Sequence, residues 1–400
     1  MFKKRKMRTI TCLAFLLAGA CAGHPDYDDE KRLTKAINNF SNNISQKITV
    51  GEPNSIYSPL SIHQALSMTY LGARGETAKE ILNTLGLNAV AGEVNELYKN
   101  VCEQLNSATE VELLPANAIF LNPKKEIDAN FSCDARYYYK AEVSSLDFLA
   151  PGGPEQKIND FVSNKTKGLV TDLLKPGSID DSTILALINT LFFNGTWQKQ
   201  FSITRTQKSD FNTPKGIIQI DTMFDEQRIN LKRNYFGADV GEIIFRGGRF
   251  SLVIFLSGSA DGLPSLEESL KAPGRLSGLF KGLKSVLVKL SLPKIKLQST
   301  YELNTALQDL GIVKAFNPIQ ADFTGISSAG GIFISKVLHK AVIEVIETGT
   351  VAAAATSAII SPRKAAPPPP VETFYVNNPF VYFIYDRQLQ LIVFSGKYSE

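Results

Sequence analysis

Apolar residues near the end of the chain come in runs too dense for a loop. Phe374-Tyr-Val, Phe380 through Tyr385 and Leu389 through Phe394 are built from aromatic and β-branched residues, the composition of strands. About thirty residues cannot bury a core alone, so these strands complete a body laid down earlier. Gly349 to Pro370 must then bridge two parts of one domain. Upstream, Ser58-Pro59 predicts a helix start, as cap and first-turn proline, with Leu60, Ile62, Leu66, Met68 and Leu71 carrying it to Gly72. Thr77 to Leu85 predicts a second helix closed by Gly86. Ile184 to Phe193 is apolar enough for a central strand, with Asn194-Gly195 as its turn. Ser299-Thr-Tyr-Glu302 has the spacing of a capping box and predicts a short helix stopped by Gly311. Two further strands are expected, Gly331 to Lys336 and Val342 to Thr348. Helices therefore precede a strand-rich body with no repeat and no separating linker, an α+β single domain.

Composition bounds the class. At 400 residues, 44% hydrophobic and 20% charged, the chain is globular rather than disordered. The formal charge of +4 suggests nucleic acid, but Lys3, Lys4, Arg5, Lys6 and Arg8 all precede the first acidic residue, and without them 38 basic residues face 39 acidic ones. No nucleic-acid partner is expected. The cationic start, the apolar run from Ile10 to Ala20 and the small residues around Ala20-Cys-Ala22 match a secretory signal over residues 1–22, followed by one domain over 23–400. That run is too short to span a bilayer. A lipoprotein signal acylated at Cys21 is the rival reading. The mature chain is expected to be secreted, soluble, free of the membrane and monomeric. It would keep only Cys102 and Cys133, too few for a disulfide scaffold or a typical zinc site, and spacing leaves open whether they pair. Asn39, Asn43, Asn130, Asn164 and Asn194 begin glycosylation sequons, in keeping with an extracellular glycoprotein.

Several separate motifs, in order, resemble those of the serpins, inhibitors of serine proteases. They are Asn54 through Met68 with Gly72-Ala-Arg-Gly-Glu-Thr77, Asn189 through Trp197, Ala321 through Ser327, Ser335 through Ala341, Asn378-Pro-Phe380 and Phe394-Ser-Gly-Lys397. Asn194 stands where a lysine is usual in that family. The resemblance implies three β-sheets surrounded by eight or nine helices, with a reactive-centre loop over about 347–371 offered as bait. It also implies a mechanism: a protease cuts the loop, is held as an acyl-enzyme, and is carried across the molecule as the loop enters the central sheet. Ser58, Ser61, Asn189 and His339 would then form a buried polar cluster where the central strands part, with Trp197 at the upper breach. Substituting His339 should loosen that shutter and favour polymerisation.

The loop's own residues fit insertion. Alternate strand residues share a face, and Thr350, Ala352, Ala354, Thr356, Ala358 and Ile360 are all small or apolar. The other set is also uncharged, and no proline interrupts the segment before Pro362. Val351 to Ala358 could equally form a helix before cleavage, since alanine is the best helix former. Glu347, Gly349, Thr350, Ala352 and Ala354 form the hinge; Val351 replaces a usual glutamate on the outward side. Counting from Gly349, the family spacing puts the attacked carbonyl on Arg363, with Lys364 following. A trypsin-like pocket would pair with that guanidinium. Lys364 is the neighbouring choice, and Ile359 or Ile360 would suit an elastase- or chymotrypsin-like enzyme. Ala365 to Pro370 makes the segment after the cut about five residues longer than the family norm, a stiff polyproline spacer.

Catalysis by this chain is not expected. Its three histidines are His24, His63 and His339, it has no HExxH, GxSxG, P-loop or GxGxxG pattern, and no cofactor or metal is implied. A carrier, storage or chaperone member of the family is the main alternative to an inhibitor. Lys281, Lys284, Lys289, Lys294 and Lys296 form a basic stretch that could meet a glycosaminoglycan or merely face solvent.

Overall fold

The computed structural model describes residues 27–272, 275, 278–350 and 371–400, and among them are eight α-helices and fourteen strands. The helices are α1 (Tyr27–Ile48), α2 (Pro59–Gly72), α3 (Gly75–Leu85), α4 (Val94–Asn106), α5 (Ala129–Tyr139), α6 (Gly153–Lys165), α7 (Leu263–Leu270) and α8 (Asn304–Asp309). Ser58 caps α2 as expected, its hydroxyl accepting from the Ser61 N–H with Pro59 in the first turn, and Gly86 closes α3 in the left-handed conformation. α1 has no counterpart in the pattern above, yet Leu33, Ile37, Phe40 and Ile44 recur at helical spacing and are all buried.

The strands run β1 (Ser55–Tyr57), β2 (Val111–Leu121), β3 (Glu142–Ser145), β4 (Leu185–Gly195), β5 (Thr206–Thr213), β6 (Gly216–Tyr235) and β7 (Ala238–Ile244). There follow β8 (Phe250–Ser257), β9 (Lys284–Pro293), β10 (Ile295–Glu302), β11 (Ile334–Val345), β12 (Glu372–Tyr375), β13 (Phe380–Asp386) and β14 (Leu391–Tyr398). One sheet has five strands in the order β10-β11-β4-β2-β3; the other has nine, β1-β14-β13-β8-β7-β6-β9-β12 with β5 on β6. Twenty-residue β6 ladders in turn with β5, β9 and β7, so a single strand joins two of the three expected sheets. In the five-stranded sheet, β4 and β11 pair in parallel from Ile334↔Leu185 to Val342↔Phe192.

Both faces of that sheet are covered, which is why β4 is apolar on both sides from Leu185 to Phe193 apart from Asn189 and Thr190. Leu185, Leu187, Leu191 and Phe193 join the main core with α1 to α5, while Ala186, Ile188 and Phe192 meet Ile158 and Val162 of α6 on the other face. Three expectations need correction. Asn194-Gly195 is no turn: β4 runs through both, held by Glu112↔Asn194 and Val111↔Gly195. Ser299 to Glu302 is the end of β10 rather than a capping box, and the Ser299 hydroxyl accepts from the Ile56 N–H; α8 begins two residues later without a side-chain cap. Gly331–Lys336 and Val342–Thr348 are not separate strands, since the single strand β11 takes in the second half of the first and most of the second. No described helix is long and apolar enough to cross a membrane.

Candidate functional site

A single rung across the five-stranded sheet collects polar side chains. Its register aligns Tyr301 with His339, His339 with Asn189 and Asn189 with Asn117, from β10 to β2. Odd positions of β4 face α2, so Asn189 points at the start of that helix. Its amide donates to the Ser61 carbonyl at 2.8 Å, to the Ser61 hydroxyl and to the Asn117 side-chain oxygen. Its own oxygen accepts from His339 Nδ1–H at 2.6 Å, and His339 Nε2 accepts the Ser58 N–H at 2.9 Å. The Ser58 hydroxyl donates to the Val393 carbonyl at 2.7 Å, tying the cluster to β14. The Tyr301 ring lies parallel over His339, with centroids 6.3 Å apart. Four sequence-named residues, Ser58, Ser61, Asn189 and His339, thus meet in one buried network. Asn117 was missed. No local signal marks it, and only the strand register brings it in.

The network holds His339 neutral. Burial lowers its pKa to about 3, the hydrogen bond to Asn189 offsetting only part of that. Burial likewise lowers His63 to about 4, against an opposing hydrogen bond to the Leu85 carbonyl. Both values lie below the roughly 6.5 of an unfolded imidazole. The unfolded chain therefore takes up two protons that the fold refuses, and stability is complete above that value and falls as pH drops toward 4. The urea midpoint should accordingly be lower at pH 5 than at pH 7.5, with proton uptake on unfolding approaching two. A midpoint unchanged over that interval would contradict these environments.

At the upper end of β4 the chain leaving β11 folds against a second cluster. Trp197 stacks on Phe245, with ring centroids 4.5 Å apart and planes 7° apart, and its indole N–H donates to the Ile346 carbonyl at 2.9 Å. The Trp197 N–H meets the Thr348 carbonyl, and the Phe201 N–H meets the Glu347 carbonyl. Burial works to raise the Glu347 carboxyl, but the Thr206 hydroxyl at 2.7 Å and Lys294 at 3.2 Å hold it below its ordinary value. Lys294 had been read as part of a basic surface stretch; only the fold brings it to Glu347. Lys296 pairs with Glu344 yet stays exposed, as do Lys281, Lys284 and Lys289 of that stretch. Gly349 has φ 135°, and a Cβ there would lie 2.0 Å from the Gly195 carbonyl oxygen. Thr350 is fully buried beside it.

At the far anchor, Phe374 of β12 occupies the space that a side chain on Gly241 would fill. Arg233 reaches the Thr373 carbonyl and the Glu372 carboxylate, and pairs with Asp239 at 2.6 Å. Arg363, Lys364, Ala352 and Ala354 lie outside the described residues, as do the signal segment and His24. Asn39, Asn43, Asn130 and Asn164 are exposed, and Asn194 is half-buried on β4. Cys102 carries a buried thiol, not a disulfide; burial raises its pKa to about 12, and it accepts a hydrogen bond from Gln64.

A family model described as Serpin (serine protease inhibitor) matches residues 35–400. Iris from Ixodes ricinus is 34% identical over 384 residues, covering 93% of this chain and 100% of its own. Serpin B4 of Homo sapiens is 31% identical over 390 residues, covering 92% and 99%. Among solved structures, Serpin48, a highly specific serpin of the insect Tenebrio molitor, superposes with a TM-score of 0.83 at 31% identity, over 94% of this chain and 100% of its own. Human thyroxine-binding globulin, complexed with thyroxine, gives 0.82 at 26% identity over 92% and 98%. With the polar rung and the docked hinge in place, this match over almost the whole length settles the family: the chain belongs to the serpins.

Proposed function

We propose that the protein is secreted and traps a trypsin-like serine protease as a suicide substrate, cleaved after Arg363. The observation that carries this reading is the composition of the chain past the buried Thr350. The chain leaves a buried seat at the head of the β4–β11 seam and continues through Pro362 without a charged side chain. A segment of that composition can enter the seam without burying an unpaired charge, the step that would otherwise cost most. Arg363 then supplies the guanidinium that an acidic specificity pocket binds.

Incubation with trypsin, followed by denaturing electrophoresis and mass spectrometry, tests both parts. The expected products are a denaturant-resistant complex and a released peptide beginning at Lys364. Arg363→Ala should slow complex formation by roughly a hundredfold. Clean cleavage without a complex, repeated with elastase and chymotrypsin, would favour the carrier role exemplified by the thyroxine-bound neighbour. A peptide with a different first residue would move the attacked bond.

A further inference from the structure

Ser55 of β1 is almost completely buried, yet its hydroxyl has no hydrogen-bond partner among the described residues. Buried hydroxyls are normally paired, because leaving one unmatched is costly. Ser55 lines a cleft of about 410 Å³ between the end of α1, the helix α7 and the strands β1, β14 and β13. Two rungs of the sheet make its floor. The register sets Ser55 beside Lys397 and Lys397 beside Val381, then Tyr57 beside Ser395 and Ser395 beside Phe383. Directly opposed residues of antiparallel strands share a face, as do residues two apart along a strand, so all six turn toward the cleft. Lys397 is 7% exposed, and its Nζ donates to Glu267 Oε1 of α7 at 3.0 Å. An ammonium has three donors, so two of them have no partner among the described residues. Lys271 and Glu268 at the rim form a second pair at 2.5 Å. The charged side chains lining the cleft therefore cancel.

We infer that this cleft is a binding site for a single neutral sugar ring. An anion would have to draw Lys397 away from Glu267, and a cation would have to draw Glu267 away from Lys397. Either leaves one member of a largely buried pair unmatched. A polyhydroxy ligand keeps the pair intact. Its hydroxyls both donate and accept, so they can meet the Ser55 hydroxyl, the spare donors of Lys397 and the second oxygen of Glu267 together. The C–H face of the ring can then rest on Phe383 and Val381, giving the combination of apolar floor and a few placed polar groups that small-molecule sites share. Protease inhibition plays no part in this, since the cleft is built on the nine-stranded sheet and not on the seam between β4 and β11.

Saturation-transfer NMR with N-acetylglucosamine as the probe tests the site in the full chain, made without glycans of its own so that none competes. Transfer to the sugar is expected at millimolar concentration. Ser55→Ala removes an atom that nothing in the fold holds, so the urea midpoint should stay unchanged while the sugar binds about fivefold to tenfold more weakly. Lys397→Met should weaken binding at least as much. Absence of transfer in the wild type, or an affinity unchanged by Ser55→Ala, would overturn the inference. So would a lowered midpoint for Ser55→Ala, which would show the hydroxyl already engaged within the protein. Should Lys397→Met fold poorly, Ser55→Ala alone decides.

Discussion

Thr350→Arg is expected to turn the protein from an inhibitor into a substrate that trypsin cuts and releases. Thr350 is buried completely, wedged against Gly195, with no acidic group among its hydrogen-bond partners. An arginine cannot leave its charge there, because an unpaired ion in such surroundings costs many kcal/mol. The hinge would have to swing out, and the first step of insertion would then require a guanidinium to pass beneath the sheet. In the proposed trap acyl-enzyme hydrolysis competes with insertion, so slowing the latter by about a hundredfold, equivalent to roughly 3 kcal/mol, suffices to reverse the outcome. Cleavage after Arg363 should persist at a normal rate while the denaturant-resistant complex disappears. A variant that still trapped trypsin at a ratio near one would sink the insertion mechanism.

Asn189→Ala should produce the largest loss of stability among single polar substitutions in the sheet. Asn189 serves the Ser61 carbonyl and hydroxyl, Asn117 and His339 together. Truncation strands several of these in a dry interior where each unsatisfied group costs roughly 1–3 kcal/mol. A total of about 3 kcal/mol or more is therefore expected. The damage falls on the β4–β11 pairing, so the variant should also associate with itself on gentle warming. Urea unfolding and size-exclusion chromatography after incubation would measure the two effects. An unchanged midpoint together with a persistent monomer would show that the polar rung does not hold the sheet.

What could be read in advance depended on whether the decisive contact was local. Ser58-Pro59 and Gly86 act through bonds within a few residues, and α2 and α3 fall where those signals put them. The apolar run of β4 was equally plain because both its faces are covered. Asn194-Gly195 and Ser299 to Glu302 carried local turn and cap signals too, but cross-strand ladders with β2 and β11 overrode them. α1 could have been found from the spacing of Leu33, Ile37, Phe40 and Ile44. Asn117 and the Lys294–Glu347 pair could not, since their partners are 72 and 53 residues away in the chain. The polar rung was named through family resemblance; only the register explains why those residues meet.

The parallel seam between β4 and β11 carries one more consequence. A chain that leaves the head of β11 and turns back between the two must run opposite to both, so it would exchange one slanted ladder for two perpendicular ones, a slightly stronger kind of pairing taken twice. The resting fold therefore holds unused bonding capacity along the seam from Leu185 to Phe192. An inhibitor of the proposed kind would persist because of a barrier, not because it lies at the bottom of its landscape; its shelf life would be a rate, and each copy would act once.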